Sequence, residues 1–300
     1  MNARDKILSI LREYNEIYQS ELVKISGLSK SRVSEVLSEL EKKGLIKKVK
    51  VMGRHYKIIP INNKIIKIGI IRAAEYPFIV PLYKRLLYKN YNPKIIIFDD
   101  GLELTKALAL GEIDIGVSPI ITQLIFSKIF DIKIITSYSK GGSGVVGLDT
   151  EIIGSTPISS MEVFTISKFH DAEIKTYKTP IRLIEALERK EVNSIAIWEP
   201  YLSLLLKKGY RLLHKFDEIN CCSIAINPRK VNEDILVKEI EESFTEFKNN
   251  SERWIEDYAN ILNINTDLLK ESIKNYKFDT DFDKNSYLLQ LKRYGIYFPS

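Results

Sequence analysis

The chain has 300 residues, 45% apolar and 28% charged, with 45 Lys+Arg against 39 Asp+Glu. This is globular composition long enough for two domains, and its 14 Gly and 10 Pro exclude collagen-like or low-complexity sequence. No apolar run nears the roughly 18 residues of a membrane helix, and the opening MNARDKILSI has no signal-peptide core, so a cytoplasmic chain without membrane contact is expected.

Charge is uneven along the chain. Residues 1–60 hold 13 Lys/Arg and 7 Asp/Glu, so the whole net charge of +6 sits there and the remainder balances. Such asymmetry points the first segment toward a polyanion. Within it, Ile7, Leu8, Ile10, Leu11 and Tyr14 recur at helical spacing over 5–14. Ser20 is a candidate N-cap for a short helix ended by Gly27. Ser29 caps a third, with Val33, Val36, Leu37 and Leu40 on its apolar stripe and Gly44 at its end. The opposite face carries Lys30, Ser31, Arg32, Ser34, Glu35 and Ser38. Two β runs follow, 45–52 and 55–59, around Gly53-Arg54 and flanked by Lys47, Lys48 and Lys50.

Three helices and a basic hairpin predict a winged helix-turn-helix (α+β) over residues 1–60. The stretch LSKSRVSEVLSELEKKGLIKK closely resembles the recognition region of MarR-like repressors. Short polar residues let a recognition helix approach base edges in double-stranded DNA, and long cations reach phosphates. The expected DNA-binding residues are Lys30, Ser31, Arg32, Ser34, Glu35, Lys48, Arg54 and His55.

Pro60-Ile61-Asn62-Asn63 is a turn-rich boundary, after which buried strands alternate with amphipathic helices. IIKIGII, KIIIFDD, DIGVSP and KIITSYS read as strands, with helices near 78–90, 102–110 and 119–128. A second series has EIIGS, a helix near 160–169, AEIKTYK, a helix near 181–190 and VNSIAIW. CCSIAINP follows, and then a long helical tail over 232–275. The alternation predicts mainly parallel sheets covered on both faces. KIGIIRAAEYPFIVP, DDGLELTKALALGEIDIGVSP, VNSIAIWEPYLSLLLKKG and the helical tail from NPRKVNEDIL resemble the nitrate/sulfonate/taurine-type solute-binding proteins of ABC importers. The likeness covers roughly 64–280 and implies a two-lobed α/β type II solute-binding-protein fold. The expected limits are 64–150 plus 218–300 for lobe I and 151–217 for lobe II.

The head-plus-sensor order follows the domain logic of LysR-type regulators, although the head is MarR-like and no long linker helix follows it. In such folds a solute sits at strand ends and helix N-termini. The candidate ligand groups are Glu75, Tyr76, Ser118, Ser139, Gly142, Ser143, Ser159, Ser160, Trp198 and Glu199. Tyr76 and Trp198 would clamp an apolar body, and the serines would hold an anionic group. The expected effector is an anionic or zwitterionic small molecule; Glu199 argues against a purely anionic ligand and leaves a zwitterion or an amine-bearing solute open.

Other motifs fail. Gly142-Ser-Gly144-Val-Val-Gly147 spells GxGxxG, but no helix follows, which removes the dinucleotide reading. Cys221-Cys222 are adjacent and are the only cysteines, which excludes a disulfide or zinc framework. Cys222 has no evident base, and Asp99-Asp100 read as solvated turns. His55, His170 and His214 lack metal spacing. No cofactor, metal or catalytic residue is expected. The expectation is a one-component transcriptional regulator, a homodimer on DNA, in which a cleft closing on a solute re-spaces two DNA-reading helices. The alternatives are an enzyme on the solute-binding fold, with Glu75, Lys140 and Glu199 as its charged candidates, and a cytoplasmic solute-binding protein without DNA affinity.

Overall fold

The computed structural model describes residues 3–14, 16–52, 55–61, 65–89, 91–216, 220–229, 233–279, 282–293 and 295–297. They divide into two compact units, Met1–Ile66 with Tyr83–Lys94 and Lys67–Leu82 with Ile95–Ser300.

The first unit opens with α1 (Ala3–Glu13), β1 (Ile17–Tyr18), α2 (Gln19–Ser26), α3 (Lys30–Lys42), β2 (Ile46–Met52) and β3 (His55–Pro60). The three strands form an antiparallel sheet in the order β1-β3-β2. Ile7, Leu11, Ile17, Leu22, Val33, Val36, Leu37, Leu40, Ile46 and Ile58 make one buried core, so every element contributes to it. Ser29 caps α3 by accepting the Arg32 N–H at 3.3 Å. Ser20 does not cap α2. Strand β1 runs directly into the helix, so Tyr18 takes the N-cap position and its N–H donates to the Glu21 carboxylate at 3.2 Å.

The chain continues through β4 (Ile65–Ile71), α4 (Ile79–Tyr88), β5 (Asn92–Phe98), α5 (Gly101–Ala109), β6 (Ile115–Pro119), α6 (Ile120–Phe126) and β7 (Lys133–Thr136). Two short strands, β8 (Ser139–Gly141) and β9 (Ser143–Gly147), come next. The second series is β10 (Ile152–Ser155), α7 (Ser160–Lys168), β11 (Glu173–Thr176), α8 (Pro180–Glu188), β12 (Ser194–Trp198), α9 (Tyr201–Lys207) and β13 (Arg211–Lys215). The chain ends with β14 (Cys222–Ile226), α10 (Glu233–Asn249), α11 (Ser251–Leu262), α12 (Thr266–Ile273), β15 (Tyr276–Phe278) and α13 (Lys284–Arg293).

Two five-stranded sheets result, β5-β4-β6-β14-β7 and β11-β10-β12-β9-β13. They share one plan. Each series orders its strands second, first, third and fourth, and a crossing strand enters antiparallel between the last two. The sheets are therefore mixed rather than mainly parallel. Strand β9 carries the GxGxxG residues and pairs with β12 and β13, so the second sheet starts at Ser143, ahead of the expected 151. The helical tail is broken near Asn250 and near Asn263, whose φ is +53°. No described helix is long and apolar enough to cross a membrane.

Helix α10 fixes its packing with Phe244. That ring stacks on Tyr138 at 4.0 Å between centroids and 3° between planes, with Phe78 edge-on to both. Phe244 is fully buried, so Phe244→Ala should lower stability by about 3–5 kcal/mol. Urea unfolding of the whole chain measures this, and an unshifted midpoint would contradict the packing described.

Candidate functional site

The cleft is organised around the point where the chain first passes from one sheet to the other. Gly142 has φ +66°, and a Cβ there would lie 2.2 Å from the Tyr276 ring, so no larger residue fits. Strand β15 pairs with β8, opposing Tyr276 to Gly141 and laying that ring across the crossing. Two backbone bonds gather the neighbouring loops: Glu199 N–H donates to Gly142 C=O at 2.8 Å, and Ala74 N–H donates to Glu199 C=O at 2.9 Å. The loop after β4, the β8–β9 crossing and the end of β12 thus meet at one place.

Beside it lies a cleft of about 530 Å³, mouth included. One wall brings Ile71, Glu75 and Tyr76 from the end of β4, Asp99 to Leu102 from the start of α5, Pro119, and Cys221-Cys222. The other brings Ser143, Thr156, Pro157, Ser159, Met161, Lys178 and Trp198, and Gly141 and Tyr276 complete the lining. Ser143 and Trp198 are opposed in register on β9 and β12, which puts both at the cleft end of the second sheet.

Glu75 is 3% exposed, and its Oε1 accepts from Ser139 Oγ at 2.6 Å. Burial pushes its carboxyl up to about 7, against stabilising hydrogen bonds from Ser139, Cys222 and Tyr76. Tyr76 Oη donates to Cys222 Sγ at 3.0 Å, and burial raises both groups, so the thiol stays protonated and is no nucleophile. Tyr276 Oη has no hydrogen-bond partner. Trp198 Nε1 donates to Arg72 C=O at 3.1 Å, which fixes the ring from outside the cleft.

Side chains cap α5 and α7 at the cleft, whereas α6, whose N-cap Pro119 also lines it, has no side-chain cap. Asp100 Oδ1 accepts the Leu102 N–H at 2.7 Å, and Ser159 Oγ accepts the Glu162 N–H at 3.1 Å. Burial also raises the Asp100 carboxyl above its ordinary value. Glu162 reaches back to the Ile158 N–H at 2.7 Å rather than to Ser159, which modifies the expected capping box.

Of the expected ligand residues, Glu75, Tyr76, Ser143, Ser159 and Trp198 line the cleft. The other five do not. Ser118 Oγ shares hydrogen bonds with Thr105 and Gln123 in the core, Ser139 serves Glu75, and Ser160 Oγ donates to Cys221 C=O at 2.6 Å. Gly142 lies behind the Tyr276 ring. Glu199 is fully buried and accepts from the Ser203 N–H and Oγ and from Asn275 Nδ2, so it ties β12 to α9 and the tail. Lys140 pairs with Asp279 at 3.0 Å and also does not line the cleft. Asp99 and Asp100 are cleft residues rather than solvated turns, and Lys178, Tyr276 and both cysteines join them. Helix capping at Asp100 was readable from its spacing to α5; nothing in the sequence links Tyr276 to residues some two hundred positions earlier. Among the described residues no group of three or more His, Cys, Asp or Glu is placed to hold a metal.

On the first unit, Lys30, Ser31, Arg32, Ser34 and Glu35 all lie exposed along α3, and His55 is exposed at the start of β3. Arg32 Nη1 holds Glu35 at 2.7 Å, and Ser31 Oγ lies 3.1 Å from Ser29 Oγ. Lys48 is not presented outward: its side chain is 15% exposed and bonds Ser38 Oγ at 2.9 Å and Glu41 at 3.3 Å, bracing β2 on α3. Arg54 lies outside the described residues.

The Glu75 carboxyl makes stability depend on pH. In the folded chain it keeps its proton to about 7, whereas an unfolded chain releases it near 4.5. Stability is therefore lost as pH rises between those values, and the loss is complete above them. Glu75→Gln has no such proton and should exceed wild type at pH 8 by on the order of 2–3 kcal/mol, with the margin closing by pH 4. Urea unfolding across pH checks this; a margin independent of pH would contradict it.

Residues 1–59 match the family described as "Domain of unknown function (DUF7343)". No curated protein sequence matches the chain. Among solved structures, the alkanesulfonate-binding protein SsuA from Xanthomonas axonopodis pv. citri, bound to MOPS, is similar at TM-score 0.62 and 15% identity, over 76% of this chain and 90% of that one. The zinc-bound ligand-binding component of an ABC-type import system from Staphylococcus aureus gives 0.65 and 16%, over 77% and 91%. A Candida albicans gene product with the generic periplasmic binding protein fold gives 0.61 and 15%, over 78% and 91%. At such identities the likeness is one of architecture: about three quarters of the chain has the two-lobed α/β fold of periplasmic solute-binding proteins.

Proposed function

We propose that this protein binds a small organic solute between its two α/β lobes and releases it unchanged. The observation that carries this reading is the cleft itself, lined from both sheets by aromatic and polar side chains that converge on one place. The similar structures named for solute binding support it. The apparatus for turnover is weak: of the three charged candidates Glu75, Lys140 and Glu199, only Glu75 lines the cleft. The test is to expose the whole chain to a metabolite extract, remove unbound molecules by gel filtration, and identify what is retained by mass spectrometry. A retained small molecule, recovered intact and lost in Trp198→Ala, is the expected result. Retention of nothing, or recovery only of a converted product, would contradict the reading.

A finer reading makes this solute the effector of a DNA-binding regulator. Residues 1–60 are then a winged helix-turn-helix head of MarR-like type, acting as a homodimer in the cytoplasm. Support comes from the exposed polar face of α3, from its order after α1 and α2 and before the β2–β3 hairpin, and from the basic excess of that segment. Arg32 and Lys30 are the contacts to bases and phosphate in this reading, with Ser31 and Ser34 allowing close approach. Lys48 acts indirectly, by holding the hairpin. Fluorescence anisotropy of the full chain on its own upstream duplex, against a scrambled duplex and at several salt concentrations, tests it. Specific binding with a steep salt slope, weakened by Arg32→Ala and altered by the retained solute, is expected. Equal and weak binding to both duplexes would leave a solute-binding protein without DNA affinity.

A further inference from the structure

We infer that the solute is an organic cation, its protonated nitrogen held by the Glu75 carboxylate and the Tyr276 hydroxyl beside Trp198; this rests on the solute-binding reading above. Glu75 is 97% buried, and among the described residues no Lys, Arg or His forms an ion pair with it. Its neighbours are hydroxyls and thiols, which can share a proton but cannot neutralise a charge. A buried carboxyl opening on a cleft without a cation is matched by one that arrives with the ligand.

Tyr276 supplies the second, independent observation. Its hydroxyl is buried without a hydrogen-bond partner on the same cleft, within the fields of Glu75 and Glu199. A phenol oxygen accepts from an ammonium, and the indole of Trp198 adds an aromatic face. The cleft offers little to an anion. No arginine or histidine lines it among the described residues, and its single lysine, Lys178, already faces Glu103 at 3.5 Å and the Asp100 carboxyl. At the N-termini of α5 and α7, Asp100 and Ser159 already accept from the Leu102 and Glu162 N–H groups that an anion would otherwise take. Asp99 and Asp100 make the mouth acidic as well.

The experiment is calorimetric titration of the full chain with 2-phenylethylamine and benzamidine, and with 2-phenylethanesulfonate and ethanesulfonate as anionic counterparts. The amines should bind and the sulfonates should not. Glu75 titrates near 7, while Tyr76, Cys222, Tyr258 and Tyr276 are all raised by burial and stay neutral. Asp99, Asp100 and Glu199 are the remaining carboxyls on this side, and burial raises the last two. Amine affinity should therefore fall about tenfold from pH 8 to pH 6 as Glu75 takes up its proton. Glu75→Gln should abolish that dependence and weaken binding about thirty-fold or more, and Tyr276→Phe should weaken it less while leaving the fold intact. Sulfonate binding without amine binding overturns the inference, as does amine binding indifferent to Glu75→Gln. If all four probes are silent, the solute retained from the extract decides. A cation there upholds the inference, an anion overturns it while leaving the solute-binding reading standing, and retention of nothing overturns both.

Discussion

The cleft depends on the meeting of three loops at the backbone of Glu199. Its N–H holds the crossing at Gly142 and its C=O holds the loop after β4, so the end of one sheet is bonded to the start of the other. Its side chain is spent entirely on Ser203 and Asn275, which locks the junction to α9 and the C-terminal tail. Glu75 is likewise buried and hydrogen-bonded, by Ser139, Cys222 and Tyr76, but it lines the cleft whereas Glu199 does not. The same fold therefore carries two buried glutamates, one tying elements together and one lining the cleft.

The sequence placed both Glu75 and Glu199 at the cleft, and the structure brings only Glu75 to its lining. Both follow strands and both lie in loops expected to reach the cleft. Only the partners separate them, and Ser203 and Asn275 are not recognisable as partners from spacing. The alternation of apolar strands with amphipathic helices, in contrast, made both lobes legible, because burial of whole strands leaves runs such as IIKIGII that no surface segment tolerates. The short strands β8 and β9 escaped because glycine and serine dominate them. Their strand character comes from neighbours on both sides rather than from local preference.

The helix-capping signals were also unequal. Ser29 caps α3 as read, since its spacing to the apolar stripe has no competitor. At α2 the preceding strand moved the cap to Tyr18, and at α5 a capping aspartate was read as a loop residue. Capping matters here for function as well as for stability. An open helix N-terminus is a simple anion site, and here Asp100 and Ser159 cap α5 and α7 at the cleft.

The account turns on one carboxyl, so its own titration is the most direct measurement. Carbon-13 NMR of the whole chain with labelled glutamate side chains, assigned by Glu75→Gln, follows that group alone. The account predicts a midpoint near 7 in the free protein, moving well down when 2-phenylethylamine is added and the carboxylate gains its cation. A midpoint near 4.5, unmoved by the amine, would contradict it.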